Sequence, residues 1–482
     1  MYKSLHTLAT GLFLSLIFWQ TSWATDLSDK AKPTNAGTCQ QLFHGIDKLT
    51  QQDAQSIRIG KAPYLRSNRF LSSFQGEELN KQQLVEWLEK SYALGKTGWQ
   101  AEMTNASIPL AQQETAFSCA NEHINELKNN SENIKPLLSA AQVPDNYIDW
   151  KQIVGLYPLM KIPVQMGVNQ LNIEIQSQFQ KDNKTDLDHK IYTLFKPRKQ
   201  LSTTERKQII SNALTNSTLG IPQPSVDELD NLFSFYAPAI AVETKNHDDK
   251  IVSLQFNQER KLQTNSHQPS LYTLHDYSRI QDKNYLQLIY IAWFPSRPAD
   301  HPLDIYSGFL DGLMWRVTLD HNGDPLLYDS VHPCGCYHKI YPVSKALAAK
   351  PPEPGEEIAF ILNKDIPDAS QQPVLIHVNS KSHFVTGLTS LQASQEKIYT
   401  NRKLNLTPYN HLRSIPVSGG HRSLFQANGL IAGTQRKEQW LIWPMGVEEA
   451  GAMRQWGTHA TAFVSRRHFD EGRLFERFFS LE

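Results

Sequence analysis

The sequence predicts an α+β protein, with a helical N-terminal domain followed by a β-rich, mainly antiparallel C-terminal domain. In the first third of the chain, apolar residues recur every three or four positions, which is the period of an amphipathic helix. Farther along, short runs of β-branched and aromatic residues alternate with turn residues, as strands and hairpins do. The Gly-Ile-Pro-Gln-Pro stretch at 220–224 separates these two patterns. We therefore expect domains over residues 25–222 and 223–482.

The first two dozen residues are typical of a cleavable signal peptide. Lys3 supplies positive charge, and Leu8 to Trp19 form an apolar run. That run is shorter than the roughly 20 residues that a membrane-spanning helix needs. Ser22-Trp23-Ala24 places small residues where a signal peptidase cleaves. We expect cleavage after Ala24, export to the periplasm or the extracellular space, and no transmembrane span in the mature protein.

The charge balance narrows the class of partner. Lys and Arg total 48, Asp and Glu total 48, and the formal net charge is zero. Nucleic-acid binding draws its affinity from phosphate neutralisation by a basic surface, and polybasic membrane binding needs a similar excess. The sequence therefore predicts no nucleic-acid partner, and it leaves the ligand unidentified.

Helical spacing is clearest in the N-terminal half. It predicts helices around Cys39–Leu49, Leu84–Tyr92 and Phe117–Leu127, another capped by Asp145, and one from about Val164 onward. Cys39 and Cys119 both fall in predicted helices. An oxidising compartment favours disulfides, so the simplest pairing is Cys39 with Cys119.

Strand patterns dominate the C-terminal half. Leu286–Phe294 is a candidate buried strand ended by Pro295, and Trp315–Leu319 and Leu326–Val331 form a predicted hairpin around Asn322-Gly323. Further strands are predicted at Ile358–Leu362, Val374–Val378, Gln439–Trp443 and Thr461–Val464, and a closing helix at Arg473–Leu481.

A Cys/His cluster follows the predicted hairpin, with His332, Cys334, Cys336 and His338 at alternate positions. In an extended strand these four would span close to 20 Å, too far for one ion to contact them all. The intervening Pro and Gly predict a looped path that brings two or three of them together.

Two thiolates and an imidazole suit copper(I) or zinc. The fourth ligand would come from elsewhere in the chain, and His459 or His468 is available. The candidate metal ligands are therefore His332, Cys334, Cys336, His338 and His459.

Other chemistry fits the same cluster. Cys334 and Cys336 are separated by one glycine and could close on each other as a disulfide. A thiol nucleophile with a histidine base is a third hypothesis. The context of His459 is loosely similar to the histidine strand of papain-like cysteine hydrolases, but Cys334 follows a strand, whereas their nucleophile begins a helix. The basic and acidic residues just after that strand, Arg466 to Glu471, suit either an anionic ligand or a solvated turn.

Three stretches of the chain resemble the signature of a family of uncharacterised exported bacterial proteins. They are residues 291–338, which include WRVTLDHNGDPLLYDSVHPCGCYH, residues 455–471 and residues 156–168. The resemblance implies a place in the cell envelope and no particular reaction. The leading hypothesis is thus an exported envelope protein with a Cys/His metal site. A thiol or metal-assisted hydrolase and a structural protein with every cysteine in a disulfide are the alternatives.

Overall fold

The computed structural model describes residues 36–179, 189–194, 196, 198–363, 365–392 and 402–482. The predicted signal peptide lies outside the described residues. Within those ranges, no helix combines the length and the apolar character needed to cross a membrane.

The helices lie mainly in the first half of the chain. The α-helices are α1 (Ala36–Asp47), α2 (Arg69–Ser72), α3 (Lys81–Asn105), α4 (Leu110–Asn129), α5 (Lys135–Ser139), α6 (Asp149–Val154), α7 (Tyr157–Phe179), α8 (Thr203–Thr215), α9 (Val226–Tyr236), α10 (Asn410–Arg413) and α11 (Gln439–Ile442). Short 3₁₀ turns occupy Ser131–Ile134, Trp443–Met445 and Leu474–Arg477.

The strands lie mainly in the second half. They are β1 (Ile57–Ile59), β2 (Ala62–Ser67), β3 (His189–Leu194), β4 (Ala239–Glu243), β5 (Ser253–Phe256), β6 (Leu262–Asn265), β7 (Ser270–Ile280), β8 (Lys283–Arg297), β9 (Gly308–Leu319), β10 (Pro325–Val331), β11 (Lys339–Pro342), β12 (Leu347–Ala349), β13 (Phe360–Ile361), β14 (Val374–Val378), β15 (Val385–Ser390), β16 (Arg402–Pro408), β17 (Ile415–Val417), β18 (Gly420–Arg422) and β19 (Phe479–Leu481).

The N-terminal helices form a core of their own around α3. A capping box between Asn80 and Gln83 begins α3, and its buried face includes Trp87 and Trp99. The predicted disulfide between Cys39 and Cys119 is confirmed, and it joins α1 to α4. Leu219 and Ile221 also pack into this core, whereas Ile175 of α7 and Ile209 of α8 pack against the large sheet. The boundary at residue 222 stays a prediction.

The large sheet has the order β13-β11-β10-β9-β8-β7-β16-β3-β4-β14-β15. The prediction of a mainly antiparallel domain is wrong, because the sheet is mixed. Strands β7 to β11 form consecutive antiparallel hairpins, but β13 on β11, β16 on both β7 and β3, and β14 on β4 pair in parallel. Tight hairpins force antiparallel pairing, whereas long connections such as that between β4 and β14 permit either direction.

Strand β8 shows why the sheet is buried on both faces. Leu288, Tyr290 and Phe294 pack with α8 and α9 on one face, and Ile289 and Trp293 pack with residues of the 409–469 region on the other. Neighbouring side chains on a strand point to opposite faces, so one uninterrupted apolar run serves both layers. The run was predicted to end at Pro295, but the strand continues to Arg297.

Other elements differ from the predictions. Gln439–Ile442 is a helix whose Trp440 and Leu441 are exposed, so this apolar run is not a buried strand. Thr461–Val464 belongs to no strand. The predicted closing helix is a 3₁₀ turn followed by β19, which pairs with β12. For the last two segments, tertiary contacts that the local pattern does not contain decide the structure.

Loss of the Cys39–Cys119 disulfide should destabilise the helical core. The bond spans 80 residues of sequence. The chain-entropy model predicts that replacing both cysteines with alanine lowers the free energy of unfolding by about 4 kcal/mol. Denaturant unfolding monitored by tryptophan fluorescence measures this change, with the wild-type protein in reductant as the matched control. A loss below about 1 kcal/mol would contradict the expectation.

Candidate functional site

The loop between β10 and β11 carries the predicted Cys/His cluster. The Gly335 amide donates to the His332 carbonyl at 2.7 Å, and the His332 amide donates to the Cys336 carbonyl at 3.0 Å, so the chain turns tightly here. Gly335 has φ +93, and a Cβ at this position would lie 2.2 Å from the Ala460 carbonyl oxygen. The predicted looped path is confirmed, and it presses the loop against the segment that contains His459.

The histidines of the cluster pair with carboxylates in separate places. His332 donates from Nδ1 to Asp311 at 3.2 Å, and Asp311 also accepts from His383 at 2.8 Å. His338 donates from Nε2 to Asp329 at 2.9 Å. In the part of the chain that the structure describes, no group of three or more His, Cys, Asp or Glu side chains is arranged to hold a metal ion. The structure therefore does not assemble the five predicted ligands around one point.

His459 is fully enclosed close to this loop. Burial lowers its pKa to about 3, although the nearby Pro333 carbonyl opposes that shift. Neither ring nitrogen makes a hydrogen bond of normal geometry. His459 is thus a neutral, enclosed ring, which differs from a histidine held in place by a carboxylate.

The two remaining cysteines are free thiols. Cys334 is buried and Cys336 is half-buried, and the Cys336 amide lies 3.4 Å from the Cys334 sulfur. A hydrogen bond with Cys334, and then burial, raise the pKa of the Cys336 thiol well above its usual value. The hydrogen bond and the burial both favour the protonated thiol of Cys336 over the reactive thiolate.

Cys336 and His338 line a cavity of about 390 Å³ beneath α7. One face of α7 forms its roof, through Met160, Pro163, Val164, Gly167, Val168, Leu171, Asn172 and Ile175. The walls come from residues 335–339, 357–360, 438–442 and 460–467, together with Tyr306. The α7 residues recur three or four apart, as one helix face should. Ile175 and Leu171 also pack against the core of the large sheet, whereas the other six line the cavity without joining that core.

One buried arginine joins two of these walls. Arg316 donates from Nε to Asp329 at 2.8 Å and from a terminal nitrogen to the Phe469 carbonyl at 2.6 Å. Asp329 also holds His338, and the Phe469 amide donates to the His459 carbonyl at 3.0 Å. Burial works to raise the pKa of Asp329, but Arg316 and His338 hold it below its usual value. The carboxylate is therefore charged, and the pair fixes the position of both walls.

The cavity mouth is apolar. Leu441 and Ile358 line the cavity and are also 63% and 51% exposed. Exposed apolar side chains continue along α6 and α7, at Ile153, Val154, Leu159, Ile162 and Met166. Contiguous apolar surface of this kind is typical of ligand grooves and interaction sites.

Most polar groups of the lining are satisfied by the protein itself. The Glu357 carboxylate accepts from the Phe463 amide at 2.7 Å and the Val464 amide at 3.2 Å. Arg467 donates to the Glu357 carbonyl at 3.0 Å. Lys339 donates to the Val385 carbonyl at 2.9 Å, and burial lowers its pKa to about 7.

Glu438 differs from these groups. It lines the cavity and is 7% exposed, yet among the described residues none donates a hydrogen bond to its carboxylate or forms an ion pair with it. Burial raises the pKa of Glu438 to about 7, against the opposing charges of Arg297 and Arg436. Glu438 is not among the residues predicted from the sequence, because it lies in a polar stretch, TQRKEQW, that carries no recognisable motif.

Comparison with protein-family models, curated proteins and solved structures finds no match to this chain. The resemblance of residues 291–338, 455–471 and 156–168 to exported bacterial proteins therefore stays a prediction.

Glu438 should make the stability of the protein depend on pH. Its pKa rises from 4.5 to about 7 on folding, so between these values the folded state binds the proton more strongly and stability falls as pH rises. Glu438→Gln cannot ionise, so its free energy of unfolding should not fall with pH at this site. We expect the variant to match wild type below pH 4.5 and to exceed its free energy of unfolding by about 3 kcal/mol above pH 7.

Denaturant titrations across this pH range measure the difference. Glu353→Gln, at an exposed acid outside the cavity, is the matched control and should follow the wild-type curve. A Glu438→Gln curve parallel to wild type at every pH would show that the carboxyl is not buried as described.

Proposed function

We propose that this chain is an exported envelope protein that binds a small, mostly apolar ligand in the cavity beneath α7. The observation that carries the proposal is the cavity itself, about 390 Å³ in volume, with an apolar helix face as its roof and a few polar groups in its walls. Small-molecule sites commonly have this size and this mixture of apolar lining and sparse polar groups.

The packing of α7 supports a binding role. Protein interiors are close-packed, and an apolar helix face normally fills its share of the core. Of the 23 residues of α7, Ile175 is the one that is fully buried. An apolar ligand in the cavity would bury the remaining inner face and gain roughly 25 cal/mol for each Å² removed from water.

A copper or zinc centre built from His332, Cys334, Cys336, His338 and His459 has less support. His332 and His338 are each held by a different aspartate, Asp311 and Asp329. A metal would need at least three of the five ligands to converge at distances near 2 Å. The same geometry weakens the metal-assisted hydrolase hypothesis.

The thiol hydrolase hypothesis also has less support than ligand binding. A cysteine nucleophile needs a lowered pKa and a base within hydrogen-bonding reach. The pKa of Cys336 is raised, and within the described ranges no histidine hydrogen-bonds to either free thiol.

Thiol reactivity distinguishes the two functions. We expect iodoacetamide to alkylate both free cysteines in the folded protein more slowly than free cysteine at neutral pH, because Cys334 is buried and the raised pKa of Cys336 favours its thiol form. Mass spectrometry of timed samples measures the rate, and the unfolded protein provides the fast control. Alkylation of one cysteine faster than free cysteine would favour the hydrolase.

Filling the cavity should abolish ligand binding. Gly167 lies in the α7 face of the lining, and a Cβ there has no heavy atom within 4 Å, so Gly167→Phe places its ring in free space without a backbone clash. We expect the neutral dye Nile red to bind wild type with enhanced fluorescence, and the variant to bind at least about tenfold more weakly.

Asn169→Phe adds the same side chain to an exposed position of α7 outside the cavity lining, and it should bind Nile red as wild type does. Equal loss in both variants would show that dye binding depends on the outer surface of α7. Undiminished binding by Gly167→Phe would overturn the proposal.

A further inference from the structure

We propose that the ligand carries a protonated amine, and that Glu438 binds this amine at the Tyr306–Tyr337 end of the cavity. This inference rests on the proposed binding function and names the chemical class of the ligand.

The Glu438 carboxylate is an unmatched acceptor in the cavity wall. It is buried in the cavity wall and has no hydrogen-bond or ion-pair partner among the described residues. A buried carboxylate without a partner is costly, whereas the Glu357 carboxylate in the same lining accepts two backbone amides. The unmatched acceptor is thus specific to one end of the cavity.

The carboxylate is also held in place by close packing. An ideal Cβ at Gly451 would lie 2.1 Å from Oε1 of Glu438, and Gly451 has φ +82. Glycine therefore permits the backbone to approach the carboxylate at this point. The carboxylate thus lies against the Gly451 backbone in the wall of the cavity.

The nearby cations are committed to other acceptors. Arg436 donates to the carbonyls of Phe309, at 3.0 Å, and Leu310. Arg297 donates to the Tyr337 hydroxyl at 3.4 Å, and its guanidinium lies 5.2 Å from the centre of the Tyr306 ring. Both act on Glu438 through space, while their hydrogen bonds go to other acceptors.

An amine satisfies this end of the cavity better than other polar groups. An ammonium donates charge-assisted hydrogen bonds to a carboxylate, which are about twice as strong as those of a neutral hydroxyl. Tyr306 and Tyr337 also line the cavity and both interact electrostatically with Glu438, so an amine there would lie near two aromatic rings, which attract cations. A ligand carboxylate would instead meet a like charge once Glu438 is ionised.

The test compares three ligands of equal chain length, namely octylamine, octanol and octanoate, by displacement of Nile red. We expect octylamine to bind wild type at least about tenfold more tightly than octanol, with octanoate weakest. In Glu438→Gln octylamine should lose its preference over octanol, with each displacement referred to the variant's own affinity for Nile red. Glu353→Gln is the matched charge control and should keep the preference.

The pH dependence gives a second readout. The charged or titratable groups facing Glu438 are Arg297, Arg436, Asp304, Tyr306, Cys336 and Tyr337. The proton competes with the amine for the carboxylate, so octylamine affinity should rise most steeply around pH 7, where Glu438 ionises. Octanol affinity should not change in this range.

The outcomes separate the two proposals. Failure of wild type to bind Nile red or any octyl ligand would overturn the proposed function and, with it, this inference. Binding of Nile red with no preference for octylamine, or with a preference that persists in Glu438→Gln, would overturn the amine inference alone.

Discussion

The candidate site depends on one buried ion pair. Arg316 on β9 contacts Asp329 on β10 through two nitrogens, at 2.8 and 2.5 Å, and the two side chains are 1% and 0% exposed. The guanidinium also lies 3.9 Å from the centre of the Phe469 ring and binds the carbonyl of the same residue. Breaking a buried pair of this kind by removing one partner typically costs 3–5 kcal/mol. The strand hairpin, the loop that carries Cys336 and His338, and the 460–467 wall are therefore positioned together.

Local sequence patterns predict the parts of the structure that depend on neighbouring residues. The β9–β10 hairpin, the Cys39–Cys119 disulfide and the strand at Val374–Val378 depend on neighbouring residues or on a small number of cysteines, and all three were predicted from the sequence. The parallel pairings and the irregular 460–467 wall depend on contacts between distant segments. No periodicity in one segment records those contacts. The Gln439–Ile442 helix has no buried residue, so its apolar run reflects no core packing.

The candidate site shows the same division. Alternating His and Cys residues marked the loop between β10 and β11 as unusual, and that loop does form one wall of the cavity. The sequence could not show that Asp311 holds His332 and that Asp329 holds His338. These pairs are separated by 21 and 9 residues, so they share no spacing that a motif could record. The sequence also could not distinguish Glu438 from the exposed acidic residues, because what sets Glu438 apart is that its carboxylate is buried without a partner. The burial of a polar residue that lies in a polar stretch cannot be predicted from its neighbours in sequence.

The central claim is that the cavity beneath α7 holds an apolar ligand whose polar end meets Glu438. A crystal structure of the protein grown with octylamine tests it most directly. We expect density along the inner face of α7, with the amine nitrogen about 3 Å from the Glu438 carboxylate. An empty or collapsed cavity, or octylamine bound elsewhere on the protein, would contradict it.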